Sequence, residues 1–228
     1  MTTDYFILLN RLGIKFRNIK TLELAFTHRS YLNEVKEVTE SNERLEFLGD
    51  SILSYIISSH LFRTRPKDPE GDLTNLRSYI VKTKSLAEAS EKLELGKYLK
   101  LSKGEEISGG RDNTQLLANT FEALLGAIYL DLGLETATKV IHQILLPDFR
   151  KEIEVGPPKD SKSQLQELVQ EKSRESPHYK IIRTSGPDHA RQFVVGVFIK
   201  GKLEGKGAGP SKQAAEEEAA SEALKKFG

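Results

Sequence analysis

The chain has 228 residues, of which 38% are apolar and 29% charged, so it can bury an ordinary core in one large domain or two small ones. It has no cysteine, which excludes disulfides, thiolate metal sites and cysteine nucleophiles. The net charge of +1 does not by itself indicate a nucleic-acid-binding protein, and the sequence predicts neither a membrane span nor a secretory signal, so we expect a cytoplasmic protein with no membrane partner.

The first part of the chain has the apolar spacing of helices. The predicted helices cover residues 21–27, 44–59, 73–93 and 115–130. Residues 104–112 are rich in glycine and charge, which is typical of an exposed loop. The pattern therefore predicts an all-α N-terminal domain.

The pattern changes after Gly156, where Pro157 and Pro158 disfavour helix and favour an extended linker. We predict one domain over residues 1–155, a linker over 156–160 and a second domain over 161–228. In the second domain, helical or strand patterns occur at residues 163–173, 179–184, 192–199, 202–207 and 211–227. Their order, α-β-β-β-α, predicts a small α+β domain.

An acidic stripe runs through the helix predicted at residues 44–59. Glu43, Glu46 and Asp50 are spaced i, i+3 and i+7, which stacks them on one helix face. Like charges in this arrangement repel by roughly 0.2–0.5 kcal/mol per neighbouring pair unless a cation neutralises them. Hard divalent cations take carboxylate oxygens, so the stripe is a candidate metal site. The alternative is a solvated acidic face.

A second acidic position lies in the helix predicted at residues 115–130. Glu122 is flanked by apolar residues, and Asn119 lies one turn before it on the same face. A carboxylate in such surroundings is costly unless it is paired or bound to a metal. The alternative is that an arginine or backbone groups satisfy Glu122.

Residues 43–50, Glu-Arg-Leu-Glu-Phe-Leu-Gly-Asp, resemble the signature of the ribonuclease III family. Residues 27–31, 69–74 and 117–124 fit the same pattern, and the resemblance covers nearly the whole chain. It implies an endonuclease domain followed by a double-stranded-RNA-binding domain. The implied reaction is metal-assisted hydrolysis of double-stranded RNA to 5′-phosphate and 3′-hydroxyl ends, in the processing and maturation of ribosomal and messenger RNA.

The resemblance also implies roles for individual residues. The Mg²⁺ ligands would be Glu46, Asp50, Asn119 and Glu122, with Asp50 and Glu122 as the catalytic core and Mn²⁺ as a substitute ion. Two further acidic residues, Glu43 and Glu70, would lie at the edge of the cleft. Phe47 would enter a socket on a second copy, giving a homodimer with two clefts; the alternative is an ordinary core aromatic.

Asn119 departs from the family pattern, which usually has aspartate at this position. An amide oxygen can still bind a hard cation, but it carries no charge. Either Asn119 is tolerated in an active enzyme, or it marks a double-stranded-RNA-binding protein whose cleavage is weakened or lost. A third hypothesis, from another class, is a helical scaffold whose acidic faces are only solvated.

Residues 161–228 resemble a double-stranded-RNA-binding domain at three places. Ser163, Gln166, Glu167 and Gln170 form one polar helix face, which suits the 2′-hydroxyls of a minor groove. The loop that contains His189 would enter the next minor groove. The third place is Lys212, at the start of the last helix, where it would meet phosphates.

The third place also departs from the family pattern. Only one basic residue, Lys212, begins the helix, and three glutamates follow at residues 216–218. Residues 160–228 carry 12 basic against 10 acidic residues, so bulk charge adds little attraction. We therefore predict weak phosphate binding at this place and a reliance on the avidity of a dimer.

Overall fold

The structure is a computed structural model that describes residues 5–157, 160–173, 175–187 and 191–227. The chain divides after Pro157 into two compact units, which are treated separately here. The linker predicted at residues 156–160 includes residues outside the described part, so the exact domain boundaries stay a prediction.

The first unit is built from helices, which confirms the all-α prediction. They are α1 (Phe6–Leu12), α2 (Ile19–Ala25), α3 (Glu43–Thr64), α4 (Glu70–Ile80), α5 (Thr83–Lys92), α6 (Lys103–Ile107), α7 (Thr114–Ile144) and α8 (Arg150–Val155). Short 3₁₀ turns join several of them.

Helix α7 is the centre of this unit, and α2, α3 and α5 pack against it. Its side chains Phe121, Leu124 and Ile128 are almost fully buried, as are Leu53 and Ile57 of α3. By length and composition alone α7 is apolar enough to cross a membrane, but 56% of the relevant window is buried inside the unit. Its position as the core helix accounts for this apolarity.

Helix α2 begins at Ile19 and α3 ends at Thr64, a few residues from the predicted bounds, and two predicted helices differ more. The single helix expected at residues 73–93 is wrong, because the chain breaks at Lys82, whose backbone is extended (φ −62°, ψ 150°). This break separates α4 from α5 and lets α5 pack against α7. Helix α7 also continues well past residue 130, although Gly133 interrupts it with a positive φ of 84° that favours glycine.

Three short helices are also absent from the sequence prediction. Helices α1 and α8 were not expected. Helix α6 forms within the loop expected at residues 104–112, where the Ser102 hydroxyl accepts a hydrogen bond from the backbone N–H of Glu105 and so caps the helix.

The second unit has the expected order α-β-β-β-α. Its elements are α9 (Ser161–Ser173), β1 (His178–Ser185), β2 (Gln192–Ile199), β3 (Lys202–Gly209) and α10 (Lys212–Phe227). The strands form an antiparallel sheet in the order β1-β2-β3. A small core fills the space between sheet and helices, formed by Leu165, Val169, Val197, Ala219 and Ala223.

Candidate active site

Helices α3 and α7 cross with their backbones in contact at two glycines. A Cβ atom added to Gly49 would lie 1.8 Å from the carbonyl oxygen of Glu122, and one added to Gly126 would lie 2.3 Å from that of Leu45. Only glycine permits this approach. The crossing brings the acidic stripe of α3 beside the acidic residue of α7.

Three of the predicted ligands, Glu46, Asp50 and Glu122, lie near enough at this crossing for their charges to interact. Burial, with the nearby charges of Asp50 and Glu46, raises the pKa of Glu122 to about 7. Burial and the charge of Glu43 raise the pKa of Glu46, against a hydrogen bond from Asn119 that lowers it. Because no cation among the described residues pairs with Glu122, repulsion within the cluster is not neutralised by the protein itself.

A cavity of about 290 Å³ opens beside the crossing, and Glu43, Glu46 and Asn119 lie on its wall. Glu43 is already engaged there: its carboxylate accepts a hydrogen bond from Ser41 at 2.8 Å and pairs with Arg29 at 3.5 Å. This engagement fits the peripheral role that the family resemblance implies for Glu43.

The donor set fits a hard divalent cation, since carboxylate and amide oxygens are its preferred ligands. Among the described residues, no three histidine or carboxylate side chains are already close enough together to hold a metal ion. Mg²⁺ commonly takes one or two carboxylates directly and keeps several waters, so a closed protein cage is not required.

Asn119 has a hydrogen-bond partner that the sequence reasoning missed. The amide nitrogen of Gln115 donates to Oδ1 of Asn119 at 2.6 Å. The two residues are spaced i, i+4 on α7, and Gln-to-Asn hydrogen bonds at this spacing are a known feature of helices. That spacing was the signal in the sequence.

Two predicted site residues, Glu70 and Phe47, do not line the cavity beside the crossing. Glu70, which accepts a hydrogen bond from Thr74 at 2.8 Å, lines a different cavity of about 640 Å³ between α3 and α4. Phe47 is 77% exposed, so it is not a core aromatic of this chain. Phe62, at the far end of α3, is 72% exposed beside the cavity that contains Glu70.

The polar face of α9 is presented to solvent. Ser163, Gln166, Glu167 and Gln170 are all exposed, whereas Leu165 of the same helix is buried. The hydroxyl of Ser163 donates to Asp160 at 3.0 Å. His189 lies outside the described residues.

Lys212 is exposed at the first residue of α10. The three glutamates that follow it are engaged within the unit. Glu216 pairs with Lys162 at 2.5 Å, Glu217 accepts from the backbone of Ser161 at 2.5 Å, and Glu218 accepts from the backbone of Ala208 at 2.6 Å. These residues thus bind α9 and the edge strand β3 to α10, a structural reason for their presence beside Lys212.

A helical unit with an acidic crossing and an α-β-β-β-α unit with an exposed polar helix fit the class of two-domain nucleases that bind RNA. A family model described as ribonuclease-III-like matches residues 18–149, and one described as a double-stranded RNA binding motif matches residues 161–227. The chain belongs to the ribonuclease III family. It is an endoribonuclease with a double-stranded-RNA-binding domain, in a family whose nucleases generally use a divalent metal ion.

Similar proteins extend along almost the whole chain. Over 224 residues it is 47% identical to ribonuclease 3 of Streptococcus gordonii, and the aligned part covers 96% of this chain and 95% of that protein. It is also 47% identical over 221 residues to ribonuclease 3 of Pelotomaculum thermopropionicum, covering 96% and 92%. Among solved structures, it resembles the nuclease domain of ribonuclease III from Campylobacter jejuni, with a TM-score of 0.60 and 36% identity; the match covers 64% of this chain and 99% of that one. That structure is described as showing structural flexibility in the region involved in dimer formation.

Proposed function

We propose that this chain is a Mg²⁺-dependent endoribonuclease that cuts double-stranded RNA to 5′-phosphate and 3′-hydroxyl ends, with Mn²⁺ as a substitute ion. Its role would lie in the processing of ribosomal and messenger RNA in the cytoplasm. The observation that carries the proposal is the close crossing of α3 and α7 at Gly49 and Gly126, which brings the carboxylates of Glu46 and Asp50 near that of Glu122. Such a cluster becomes favourable when a divalent cation neutralises it.

The metal-binding side chains of the cluster would come from two helices. Glu46 and Asp50 present carboxylates from α3 and Glu122 presents one from α7, so these residues would hold the ion; the backbone contact at Gly49 keeps the two helices close. Asn119 completes the cluster on the side of Glu46. When bound, Mg²⁺ would lower the pKa of a water molecule and stabilise charge on the phosphate.

A homodimer is proposed through the exposed side of α3. Phe47 and Phe62 stand at its two ends, 15 residues or about 22 Å apart at roughly 1.5 Å per residue. An isologous pairing of α3 with the same helix of a second copy would bring Phe47 to the cavity beside Phe62 in that copy. Glu70 lines that cavity, so this pairing also supports a place for it at the edge of the cleft.

The second unit is proposed to hold the duplex. Ser163, Gln166, Glu167 and Gln170 would contact a minor groove, His189 the next minor groove, and Lys212 the phosphates between them. With a single basic residue at this helix start, affinity would depend on two such units acting together in the dimer.

Incubation of the full chain with an end-labelled RNA duplex, with and without Mg²⁺, tests the proposal. We expect cleavage only with Mg²⁺, and products with 5′-phosphate ends. Binding without cleavage would support the second candidate, a duplex-binding protein in which Asn119 has removed activity. If the chain neither binds nor cleaves the duplex, both candidate functions are contradicted.

A further inference from the structure

Two histidines from different helices meet in another cavity of the first unit, of about 580 Å³, which shares no residue with the cavity beside the acidic cluster. They are His60 of α3 and His142 of α7, and side chains of α8 complete the wall. The centroids of the two imidazole rings are 5.0 Å apart, and the rings meet edge to face at 87°. Neither histidine has a part in the proposed cleavage of RNA.

The distance between the rings is that of two ligands of one metal ion. Zn–N bonds of about 2.0–2.1 Å and tetrahedral angles place the centroids of two bound imidazoles about 5 Å apart. From the edge-to-face arrangement, one ring must turn about χ2 before a nitrogen of each ring faces the same ion. This torsion is broad in histidine, and His142 is exposed, so its ring has room to turn.

The surroundings of His60 favour the form of imidazole that binds metal. Burial lowers the pKa of His60, and His142 and Arg63 lower it further. Protonated imidazole has no lone pair for a metal ion, so a group held neutral is ready to act as a ligand.

The charged side chains of the cavity wall are largely balanced. Arg65 pairs with Asp68 at 2.5 Å and donates to the carbonyl oxygen of Ile153 at 2.7 Å. The other two charged residues of the wall, Arg150 and Glu154, carry opposite charges. The wall therefore offers little net charge to attract an anion, and the two imidazoles are the groups suited to a ligand.

We propose that His60 and His142 form a metal site distinct from the acidic cluster, which takes a borderline divalent ion such as Zn²⁺ and links α3 to α7. Imidazole suits Zn²⁺, whereas carboxylate and water suit Mg²⁺, so the two sites would select different ions. In the described part of the chain no third histidine or carboxylate completes a protein cage, so water would fill the remaining positions. The proposal does not rest on the proposed function, because no residue of the acidic cluster takes part in it.

Titration of the full chain with Zn²⁺ by isothermal calorimetry tests the proposal, with excess Mg²⁺ present to occupy carboxylate sites. We expect His142→Ala and His60→Gln each to weaken Zn²⁺ binding by about tenfold or more, since loss of even an indirect partner of a metal costs about 10–100-fold. The double variant should bind little more weakly than either single one, because either change removes the pair. The control is His178→Ala, an exposed histidine of β1, which should bind as the parent does.

Two further measurements separate binding from folding. Circular dichroism checks the variants, and alanine is favourable at the exposed helical position of His142. In ¹⁵N-labelled protein, Zn²⁺ should shift the imidazole resonances of His60 and His142 and leave those of His178 in place. Zn²⁺ should also raise the Tm of the parent and not that of His142→Ala, since it binds only the folded unit.

Three results would overturn the proposal. One is a parent that binds no Zn²⁺, or binds it as tightly as both histidine variants do. Another is loss of Zn²⁺ binding in Glu122→Gln, since the ion would then lie in the acidic cluster. The third is a shift of both imidazole resonances by inorganic phosphate and not by Zn²⁺, since the cavity would then be an anion site. Cleavage of RNA does not enter any of these measurements, so failure here leaves the proposed function standing.

Discussion

The electrostatic cost of the site is greatest at the carboxylate of Glu122. Its carboxylate is partly removed from water and faces two like charges, and both effects favour its protonated form. A sequence selected for stability alone would place a neutral residue here. The cluster therefore makes the free energy of unfolding of the first unit depend on pH and on metal.

We predict that the metal-free protein loses stability as pH rises. Because the folded-state pKa of Glu122 is about 7, above its ordinary value, its contribution is full below about pH 4.5 and is lost as pH rises through 7. Relative to Glu122→Gln, the parent should lose about 1–2 kcal/mol between pH 5 and pH 8, after allowance for solvent screening.

Urea denaturation of both proteins in chelator, followed by circular dichroism, measures this difference. Saturating Mg²⁺ at pH 8 should restore the stability of the parent and not that of the variant. A stability difference that stayed constant across this pH range would show that Glu122 is not buried among like charges.

The family resemblance grouped Glu46, Asp50, Asn119 and Glu122 as one candidate cluster. Spacing along the sequence placed only Glu46 with Asp50 on one helix face, and Asn119 with Glu122 on another. It did not reveal Gln115, although the i, i+4 spacing to Asn119 was present, because many glutamines at that spacing make no bond. Nor did it reveal that Glu43 is held by Arg29 and Ser41, since those contacts depend on how the chain folds back before α3.

At the scale of elements, the site depends on how closely α3 and α7 approach. Gly49 and Gly126 bring the two backbones into direct contact, and the acidic residues flank that contact. Backbone atoms in a packed core cannot shift as the end of a side chain can, so the crossing is sensitive to single methyl groups.

Gly49→Ala is predicted to destabilise the first unit by roughly 1–3 kcal/mol or more, because its Cβ would overlap the carbonyl of Glu122. It should also weaken Mn²⁺ binding, since the two halves of the cluster move apart. Thermal unfolding and metal titration measure these effects. Gly71→Ala in α4 is the matched control: its Cβ meets nothing within 4 Å, so it should be neutral or stabilise by about 0.5–1 kcal/mol. Equal behaviour of the two variants would contradict the close crossing.

Apolar periodicity predicted the helices of the first unit and the order of elements in the second. It merged α4 with α5, because the break at Lys82 involves no glycine or proline and arises from the packing of α5 on α7. It ended α7 too early, since the helix continues beyond Gly133. It also missed the short helices α1, α6 and α8.

The whole chain combines a unit that carries the acidic cluster with a unit that carries the exposed polar face of α9. Each unit has its own hydrophobic core. Separate cores favour independent folding, so cleavage and duplex affinity are expected to be separable by truncation.

Removal of residues 158–228 is predicted to leave a folded unit that still binds Mn²⁺. Duplex affinity should fall most at physiological salt, where phosphate contacts are already weakened. Gel-shift titrations of the truncated and full chains at two salt concentrations measure this loss. If the truncated and full chains had equal duplex affinity at physiological salt, the second unit would not be the part that binds RNA.

The most direct test of the whole description is the Glu122→Gln variant on a duplex substrate, because it keeps the shape of the side chain and removes its charge. Cleavage at saturating Mg²⁺ should fall by about tenfold or more, while duplex binding stays as in the parent. Glu135→Gln, an exposed position of α7 paired with Lys139, is the control and should cleave as the parent does. Cleavage by Glu122→Gln within about threefold of the parent would contradict the assignment of this cluster as the metal site.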